Sequence, residues 1–259
     1  MNEEVFEGLI QTGLNQTMHG WDFSWLNQRT REEPLPWDYR TEVLARLEGV
    51  TALLDVGTGG GEFFASLFLP PFSRPVPPKT WAAEGYPPNV SIARARLEPL
   101  GIRLTDVSAL AEQRLPFDDC TFDLIIDRHE GWPAHDLFRV LRPGGRYLTQ
   151  QVGGDNALEL NEFLSGEPPL YGTYSLPGAV RELEEAGFRV LDKREAHPAW
   201  TFLDVAGVVF YLKVVPWQMP ETSLEAYRDR LYALHQHIQR EGGFTVREHR
   251  LLIEVEKPA

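Results

Sequence analysis

Short apolar runs of strand length alternate with segments of helical periodicity over most of the chain. The runs contain β-branched residues and end at glycine, proline or acidic residues, a pattern that is typical of buried strands. They occupy residues 50–56, 80–83, 101–106, 122–126, 146–152, 188–191 and 245–255. Helical segments lie between most of them, at residues 62–68, 90–100, 133–141, 156–164 and 176–186. Strands that alternate with helices predict an α/β protein built on a largely parallel sheet.

The first predicted strand runs into a turn that is rich in glycine. Val50–Val56 is followed by glycine at four of the positions 57–61, and a helix is predicted to begin near Glu62. Glycine has no Cβ, so it permits positive φ angles and lets main-chain N–H groups approach a ligand closely. The positive end of the following helix points to the same place. The pattern therefore predicts a nucleotide-type binding site.

The spacing of these glycines argues against a dinucleotide site. The G-x-G-x-x-G fingerprint would place glycine at position 62, but the residue there is Glu62. A carboxylate beside a helix N-terminus would repel a pyrophosphate, whereas it tolerates a ligand with positive or mixed charge. An NAD-dependent dehydrogenase is therefore disfavoured.

Acidic residues stand at the ends of the predicted strands. In an open α/β sheet, ligands bind outside the carboxyl ends of the strands, where Asp55, Glu84 and Asp106 are expected to lie. Glu84 follows the glycine turn by just over 20 residues, the position of a carboxylate that accepts both hydroxyls of a ribose. Asp106 is a candidate to accept a hydrogen bond from an adenine amino group, with the backbone at Val107 against the ring. The fourth strand delivers Asp127 to the same edge.

Three segments of the sequence resemble a known group of enzymes. The spacing Asp55-x-Gly57-x-Gly59-x-Gly61 resembles the first motif of class I S-adenosylmethionine-dependent methyltransferases. The segment 115–127, in which Leu-Pro-Phe precedes an acidic turn and a Phe-Asp-Leu strand, resembles the ubiquinone-biosynthesis-like, type 11 group of these enzymes. The Arg-Pro-Gly-Gly sequence at 142–145 is similar to the same group.

This resemblance covers about residues 50–196 and the final strand. It implies a Rossmann-like, doubly wound, seven-stranded sheet whose last strand is antiparallel, and S-adenosyl-L-methionine as the cofactor. The residues that it implies for cofactor binding are Asp55, Gly57, Thr58, Gly59, Gly61, Glu84, Asp106, Val107 and Asp127.

Methyl transfer from a sulfonium is a direct displacement that releases a neutral thioether. It needs in-line placement, exclusion of water and, for some acceptors, a base. His129 and Glu130 are the candidate catalytic residues, because both follow the fourth strand at the ligand edge. The alternative is a loop whose charges pair with one another or with the first helix. The sequence has no Cys/His cluster and no His-Glu-x-x-His pattern, so no metal is expected.

The chain is predicted to carry two additions to a methyltransferase core of residues 50–196 and 243–259. Residues 1–49 form an aromatic-rich, helical N-terminal extension, and residues 197–242 form a helical insertion with a long amphipathic helix. In the family such additions usually define the substrate, so the resemblance implies a lid over the acceptor. The candidate substrate-lining residues are Trp37, Tyr171, Tyr174 and Trp217, each of which has packing in the core as the alternative.

Charge and composition narrow the class of acceptor. The 259 residues carry 25 Lys and Arg against 38 Asp and Glu, a formal net charge of −13 that repels phosphate backbones. A small-molecule acceptor is therefore favoured over nucleic acid. The N-terminal residues lack the features of a signal peptide and no apolar run reaches the roughly 20 residues that span a bilayer. We expect a cytoplasmic protein, not associated with a membrane, that is a monomer or a homodimer.

Two further readings stay open. Some relatives with this core modify RNA, so a ribosomal or transfer RNA methyltransferase is the first alternative, and a basic face would support it. The second is a protein that binds S-adenosylmethionine without catalysing methyl transfer.

Overall fold

A computed structural model describes residues 2–18, 20–109, 114–220 and 223–259. Within these ranges the chain divides into two compact units, each made of three segments. Unit 1 comprises Met1–Pro36, Val152–Ser175 and Ala196–Arg250, and unit 2 comprises Trp37–Gln151, Leu176–Glu195 and Leu251–Ala259.

The secondary structure over the described residues alternates between strands and helices. The strands are β1 (Thr30–Glu32), β2 (Ala52–Val56), β3 (Lys79–Glu84), β4 (Arg103–Asp106), β5 (Phe122–Arg128), β6 (Leu141–Val152), β7 (Arg189–Ala196), β8 (Ala199–Phe202), β9 (Phe244–Arg247) and β10 (Arg250–Glu256). The α-helices are α1 (Asn2–Asn15), α2 (Tyr39–Arg46), α3 (Glu62–Ser66), α4 (Pro87–Leu97), α5 (Ala134–Val140), α6 (Leu158–Leu164), α7 (Leu176–Glu185), α8 (Val205–Val214) and α9 (Arg228–Glu241). Short 3-10 helices lie at Ser24–Gln28, Glu98–Leu100, Pro216–Gln218 and Leu224–Tyr227.

Unit 2 is built on a seven-stranded sheet, as counted over the described part of the chain, with the order β4-β3-β2-β5-β6-β10-β7. The pairs β2–β3, β2–β5, β3–β4 and β5–β6 are parallel, and the last strand, β10, is antiparallel. The predicted Rossmann-like, doubly wound sheet is therefore confirmed. The strand order reverses at β2, because β3 and β5 lie on its two sides, and this reversal is where such sheets bind ligands.

The central strands of unit 2 are buried on both faces. All five residues of β2 and the first six of β5 are buried, which is the usual condition of parallel strands covered by helices. The Leu-Pro-Phe segment has a structural role here. The Leu115 N–H donates to the Asp136 carboxylate over 2.6 Å, and Arg139 of α5 donates to the carbonyl oxygens of Leu115 and Phe117. These bonds fasten the segment before β5 to the helix after it.

Unit 1 combines a three-stranded antiparallel sheet of the described residues, in the order β1-β8-β9, with helices α1, α6, α8 and α9. Its core is centred on α8, in which eight consecutive residues, Val205–Leu212, are buried. The Asp204 carboxylate caps this helix by accepting the Gly207 N–H over 2.9 Å. Helix α1 packs on α8 at Gly13, where a Cβ would lie only 2.6 Å from the Ala206 carbonyl oxygen.

The units divide the chain differently from the segments predicted from sequence. Residues 152–175, which the sequence assigns to the core, belong to unit 1, because α6 buries Leu160 and Leu164 in the cluster around α8. Residues 37–49, assigned to the N-terminal extension, belong to unit 2. The predicted final strand at 245–255 is two strands, β9 and β10, in different sheets, and the insertion predicted as helical also contains β8.

No helix in the described ranges has the length and apolar character needed to cross a membrane.

The start of β2 depends on one buried carboxylate of β5. Asp123 Oδ2 accepts the Thr51 N–H over 2.6 Å, the Thr51 hydroxyl over 2.8 Å and the Ala52 N–H over 3.1 Å, while Oδ1 pairs with Arg142. We expect Asp123→Ala to lower the free energy of unfolding by about 2–4 kcal/mol, because these donors lose a charged acceptor. Urea unfolding measures the change. The control is Asp118→Ala in the exposed turn before β5, and an equal loss in both variants would contradict the assignment.

Candidate ligand site at the carboxyl ends of the strands

The glycine turn after β2 adopts a conformation that requires glycine. Gly57, Gly59 and Gly61 have φ angles of 67°, 62° and 78°, in the left-handed region that side chains disfavour. The N–H groups of Gly57 and Thr58 donate to the Ala83 carbonyl of β3, over 2.9 and 3.1 Å, and α3 begins immediately after Gly61. The turn is thus held against the end of the neighbouring strand, at the ligand edge of the sheet.

Glu84, at the end of β3, ties two loops together. Its carboxylate accepts the Gly59 N–H over 2.6 Å and the Tyr86 N–H over 2.7 Å. The residue is only 2% exposed. Burial raises the pKa of the Glu84 carboxyl, and the bonds from the Tyr86 and Gly59 N–H groups oppose that rise. The predicted ribose acceptor therefore lies directly against the glycine turn.

Asp55 and Asp127 lie at the ends of the adjacent strands β2 and β5 and are 4% and 0% exposed. Burial raises the pKa of Asp55 to about 7, although the Thr58 hydroxyl and the charge of Arg128 oppose the shift. Burial also raises the pKa of Asp127 far above its usual range. The Asp127 carboxylate accepts hydrogen bonds from the Tyr147 hydroxyl over 2.8 Å and from the Glu130 N–H over 3.1 Å.

The carboxylates at this edge repel one another. After desolvation, the charge of Glu84 raises the pKa of Asp55, and the charges of Glu130 and Asp55 raise that of Asp127. Glu130 acts on Glu84 in the same way. Four acidic groups from three strand ends and one loop therefore share one electrostatic environment. That environment favours a ligand carrying positive charge.

The turn after β5 carries both candidate catalytic residues. His129 has a φ of 68°, an uncommon conformation for a residue with a side chain and one that is frequent at functional sites. Its Nε2 lies 3.2 Å from the Gln150 amide nitrogen. The Trp37 indole donates to Gln150 Oε1 over 2.9 Å, so the Gln150 amide presents its NH₂ group to the imidazole, whose Nε2 is the acceptor.

Glu130 covers the glycine turn. A Cβ added to Gly57 would lie 2.3 Å from Glu130 Cβ, so the two residues are in direct contact. Burial raises the pKa of the Glu130 carboxyl, although its Oε1 accepts the Gly131 N–H over 3.0 Å. Glu130 is thus a predicted catalytic residue with a raised pKa that lies beside the predicted cofactor turn.

Asp106 and Val107 lie at the end of β4, next to Glu84. The Val107 N–H donates to the Glu84 carbonyl over 3.0 Å, and Val107 is buried. Asp106 is exposed, and its Oδ1 accepts both the N–H and the hydroxyl of Ser108, over 2.9 and 2.6 Å. These bonds lower the pKa of the Asp106 carboxyl, so it is an anionic acceptor at the rim of the site.

Glu62, whose charge disfavours a pyrophosphate, has a cationic partner. Arg96 of α4 pairs with the Glu62 carboxylate and donates to the Gly60 carbonyl oxygen. This pair reduces the repulsion that Glu62 exerts on an anion. The absence of glycine at position 62 is therefore a stronger reason against a dinucleotide site than the charge of Glu62.

The four aromatic residues predicted to line the acceptor are placed in two groups. Trp37 is buried in unit 2, where it contacts Gln150 as described. Tyr171, Tyr174 and Trp217 belong to unit 1 and are 62%, 37% and 39% exposed. The Leu170 N–H donates to the Trp217 carbonyl over 3.1 Å, which brings the Tyr171 loop and Trp217 together. Their role in substrate binding stays a prediction.

Sequence reasoning missed the buried residues that position Asp127. The Tyr39 hydroxyl lies 2.8 Å from the Asp127 carbonyl and 3.1 Å from that of Leu148, and the Asp127 N–H donates to it over 3.2 Å. Gln151 Nε2 lies 3.3 Å from Asp127 Oδ1 and donates to the Glu130 carbonyl over 2.6 Å. The sequence feature that could have indicated them is a set of polar side chains, Tyr147, Thr149 and Gln151, at alternate positions of a strand that is otherwise predicted to be buried.

Comparison with known proteins identifies the class of fold. The cyclase SpnF has a TM-score of 0.55 and 16% sequence identity to this chain, over 100% of this chain and 97% of SpnF. A proposed methyltransferase from Bacillus halodurans has a TM-score of 0.58 and 17% identity, over 86% of this chain and 100% of that one. The chain therefore has the Rossmann-like fold found in class I methyltransferases.

A proposed sarcosine dimethylglycine methyltransferase from Galdieria sulphuraria is also similar, with a TM-score of 0.51 and 15% identity over 85% of this chain and 83% of that one. No model of a protein family matches the sequence. A search of curated proteins finds no match either. The finer resemblance to the type 11 group stays a prediction.

The raised pKa of Asp55 makes stability depend on pH. The carboxyl titrates at about 7 in the folded chain and near its ordinary 3.8 when unfolded, so the folded chain retains the proton between these values. The free energy of unfolding therefore falls as the pH rises from about 4 to about 7. Asp55→Asn removes this contribution, and we expect the decrease across that window to shrink by about 2–4 kcal/mol.

Urea unfolding of the ligand-free protein at several pH values measures this decrease. Asp106→Asn is the matched control, because the pKa of Asp106 is lowered and its replacement does not flatten the profile between pH 4 and 7. An Asp55→Asn profile with the slope of the wild type would show that Asp55 is ionised in the fold.

Proposed function

We propose that the protein is an S-adenosylmethionine-dependent methyltransferase with a small-molecule acceptor. The observation that carries this proposal is the contact between Glu84 and the Gly59 N–H at the point where the strand order reverses. It joins a carboxylate suited to ribose hydroxyls to a turn whose backbone admits a ligand. The resemblance of the glycine turn and of residues 115–127 and 142–145 to type 11 methyltransferases supports the same ligand.

The donor set fits a cationic cofactor. Glu84 would bind the ribose hydroxyls, Asp106 and Val107 would meet the adenine, and Asp55 with Gly57 would lie nearest the amino-acid portion. Asp127 would support this arrangement by accepting the Glu130 N–H, which fixes the turn after β5. S-adenosylmethionine carries a positive sulfonium, which would favour the ionised forms of Asp55, Glu84 and Glu130, whose pKa values are raised in the ligand-free protein. When bound, the cofactor supplies a methyl group that is attacked in line by a nucleophile.

Glu130 is the residue that we assign to proton removal from the acceptor. A carboxylate whose pKa is raised is a better base near neutral pH than an ordinary one. The Nε2 lone pair of His129 is engaged by the Gln150 amide, so His129 acts by positioning the turn.

The acceptor class follows from charge. A net charge of −13 repels nucleic acid, which makes RNA the less favoured acceptor. Residues 1–49 and 197–242, with the exposed Tyr171, Tyr174 and Trp217, are the proposed source of acceptor specificity. A protein of this fold that is a cyclase, SpnF, illustrates that the fold admits other chemistry. Methyl transfer therefore has to be measured directly.

Isothermal titration with S-adenosylmethionine tests the cofactor assignment. We expect one molecule to bind per chain and Gly59→Val to abolish binding, because a β-branched residue disfavours the φ of 62° that the turn requires. Gly49→Val is the control, because Gly49 has a φ of 75° but lies before β2, with no atom within 4 Å of an added Cβ. Equal binding by both variants would overturn the assignment.

Catalysis is then tested by the release of S-adenosylhomocysteine with a panel of phenols, thiols, amines and a transfer RNA. Release with a small molecule supports the proposal, and release with RNA alone replaces the acceptor class. Binding without release from any acceptor favours a non-catalytic S-adenosylmethionine-binding protein.

Glu84→Ala isolates the ribose contact. We expect binding of S-adenosylmethionine to weaken by about 1–3 kcal/mol, because a charged acceptor of two hydroxyls is lost. Glu98→Ala, at an exposed residue after α4, is the matched control. An unchanged dissociation constant in Glu84→Ala would move the ribose contact to another residue.

A further inference from the structure

Three turns of unit 1 each present a side chain that can bind a metal. Asp155 lies in the turn after β6, His197 between β7 and β8, and His249 between β9 and β10. One oxygen of Asp155 and one ring nitrogen of each histidine all lie within 4.8 Å of one another. The cluster contains none of the residues that we assign to cofactor binding.

Backbone hydrogen bonds hold these turns together without the three side chains. The Gly153 N–H donates to the His249 carbonyl over 3.0 Å, and the Ala157 N–H donates to the Arg247 carbonyl over 2.7 Å. The Glu248 N–H donates to the Pro198 carbonyl over 3.0 Å. The positions of the three side chains are therefore fixed by the fold of unit 1.

The distances suit a metal with short bonds. His197 Nε2 is 3.6 Å from Asp155 Oδ2, and His249 Nδ1 contacts Asp155 Oδ1 directly. Bonds of about 2.0–2.2 Å to nitrogen and oxygen place neighbouring donor atoms about 3–3.5 Å apart. No pair of donor atoms has to move by more than about 2 Å to reach that spacing. The rings of His197 and His249 are stacked, with centroids 4.3 Å apart, and a nitrogen of each ring lies near the Asp155 carboxylate.

The surroundings combine a buried anchor with an open side. His249 is 5% exposed and packs on Gly153, where a Cβ would lie 2.0 Å from its Nδ1. The side chains of Asp155 and His197 are 50% and 41% exposed, and both line an open cavity of about 460 Å³. That cavity is also lined by Leu158, Glu159, Glu162 and Arg247. A metal would thus have a rigid inner ligand and room for further ligands.

The charges around the cluster are compatible with a cation. Glu159 and Glu162 add negative charge beside Asp155. The two nearby guanidinium groups have carboxylate neighbours, since Arg247 lies 3.8 Å from Glu33 and Arg250 pairs with Glu248. Both guanidinium groups are thus balanced by carboxylates, and Glu159 and Glu162 leave the surroundings of the cluster negatively charged.

We propose that Asp155, His197 and His249 form a binding site for a divalent transition metal, with zinc as the best candidate. Two imidazoles and one carboxylate suit zinc, cobalt, nickel or ferrous iron, whereas magnesium and calcium prefer an all-oxygen set. Three protein ligands leave at least one position for water or for a donor group of a small molecule in the cavity. The site is independent of the proposed methyltransferase function.

The sequence predicts no metal because the three ligands are 42 and 52 residues apart. Recognisable zinc motifs place two ligands within a few residues, on one helix or one turn. Here each ligand comes from a separate turn, and only the pairing of the strands brings the turns together. The proposed metal site therefore differs from the expectation, drawn from the sequence, that the protein holds no metal.

Zinc binding by the full-length chain without an affinity tag tests the site. The protein is treated with a chelator, dialysed and titrated with zinc in competition with a chromophoric chelator. We expect one zinc per chain, and at least a tenfold weaker affinity in both Asp155→Asn and His197→Ala. These ligands are half-exposed, so their replacement leaves the fold intact, as the melting temperature of the metal-free variants will verify. His135→Ala, at an exposed histidine of α5, is the control and retains the wild-type affinity.

Two further measurements separate a built site from loose association. Zinc should raise the melting temperature of the wild-type chain and of His135→Ala, but not that of Asp155→Asn, and magnesium should have no effect. Cobalt in the same site should give visible absorption bands that His197→Ala loses. Absence of stoichiometric zinc binding by the folded wild-type chain, or equal affinity in all variants, would overturn the proposal and leave the cluster as a hydrogen-bonded Asp–His pair.

Discussion

The carboxylate of Glu84 accepts hydrogen bonds from the backbone of two different loops, at Gly59 and at Tyr86. A buried carboxylate is costly unless donors surround it, and here the donors are main-chain N–H groups that the sheet has already brought close. The bond from the Gly59 N–H therefore has two effects, because it provides a donor for the buried carboxylate and it fixes the glycine turn. Loss of either partner would leave the turn held to β3 by the Gly57 and Thr58 N–H groups alone.

The same device recurs through unit 2. Asp123 holds the start of β2, Asp136 holds the Leu115 segment, and Asp127 holds the turn that carries Glu130. In each case a buried acid accepts an N–H from a segment distant in sequence or from a tight turn. Charged hydrogen bonds of this kind are about twice as strong as neutral ones, so they order loops that apolar packing alone leaves unspecified. The ligand edge is the place where several of them converge.

The parts of the fold that could be predicted from the sequence are those with strong local patterns. Apolar runs such as 50–56 and 122–126 report burial directly, and positive φ angles at Gly57 and Gly59 explain why glycine occurs there. The run at 245–255 predicts one strand, but Glu248 and His249 lie between two strands, β9 and β10. Hydrophobicity does not reveal that these two strands belong to different sheets. Side chains that meet only through strand pairing, such as Tyr39 with Asp127 or His197 with His249, leave no local signal.

Electrostatic repulsion at the ligand edge connects stability with binding. The charges of neighbouring acids contribute to the raised pKa values of Asp55, Glu84 and Asp127, so ionising these groups together in the ligand-free site is unfavourable. A ligand with a positive charge reduces this repulsion, whereas a neutral one leaves it in place. If the proposed cofactor binds here, its conversion from a sulfonium to a thioether removes that favourable interaction. The site would then favour the charged cofactor over its uncharged product.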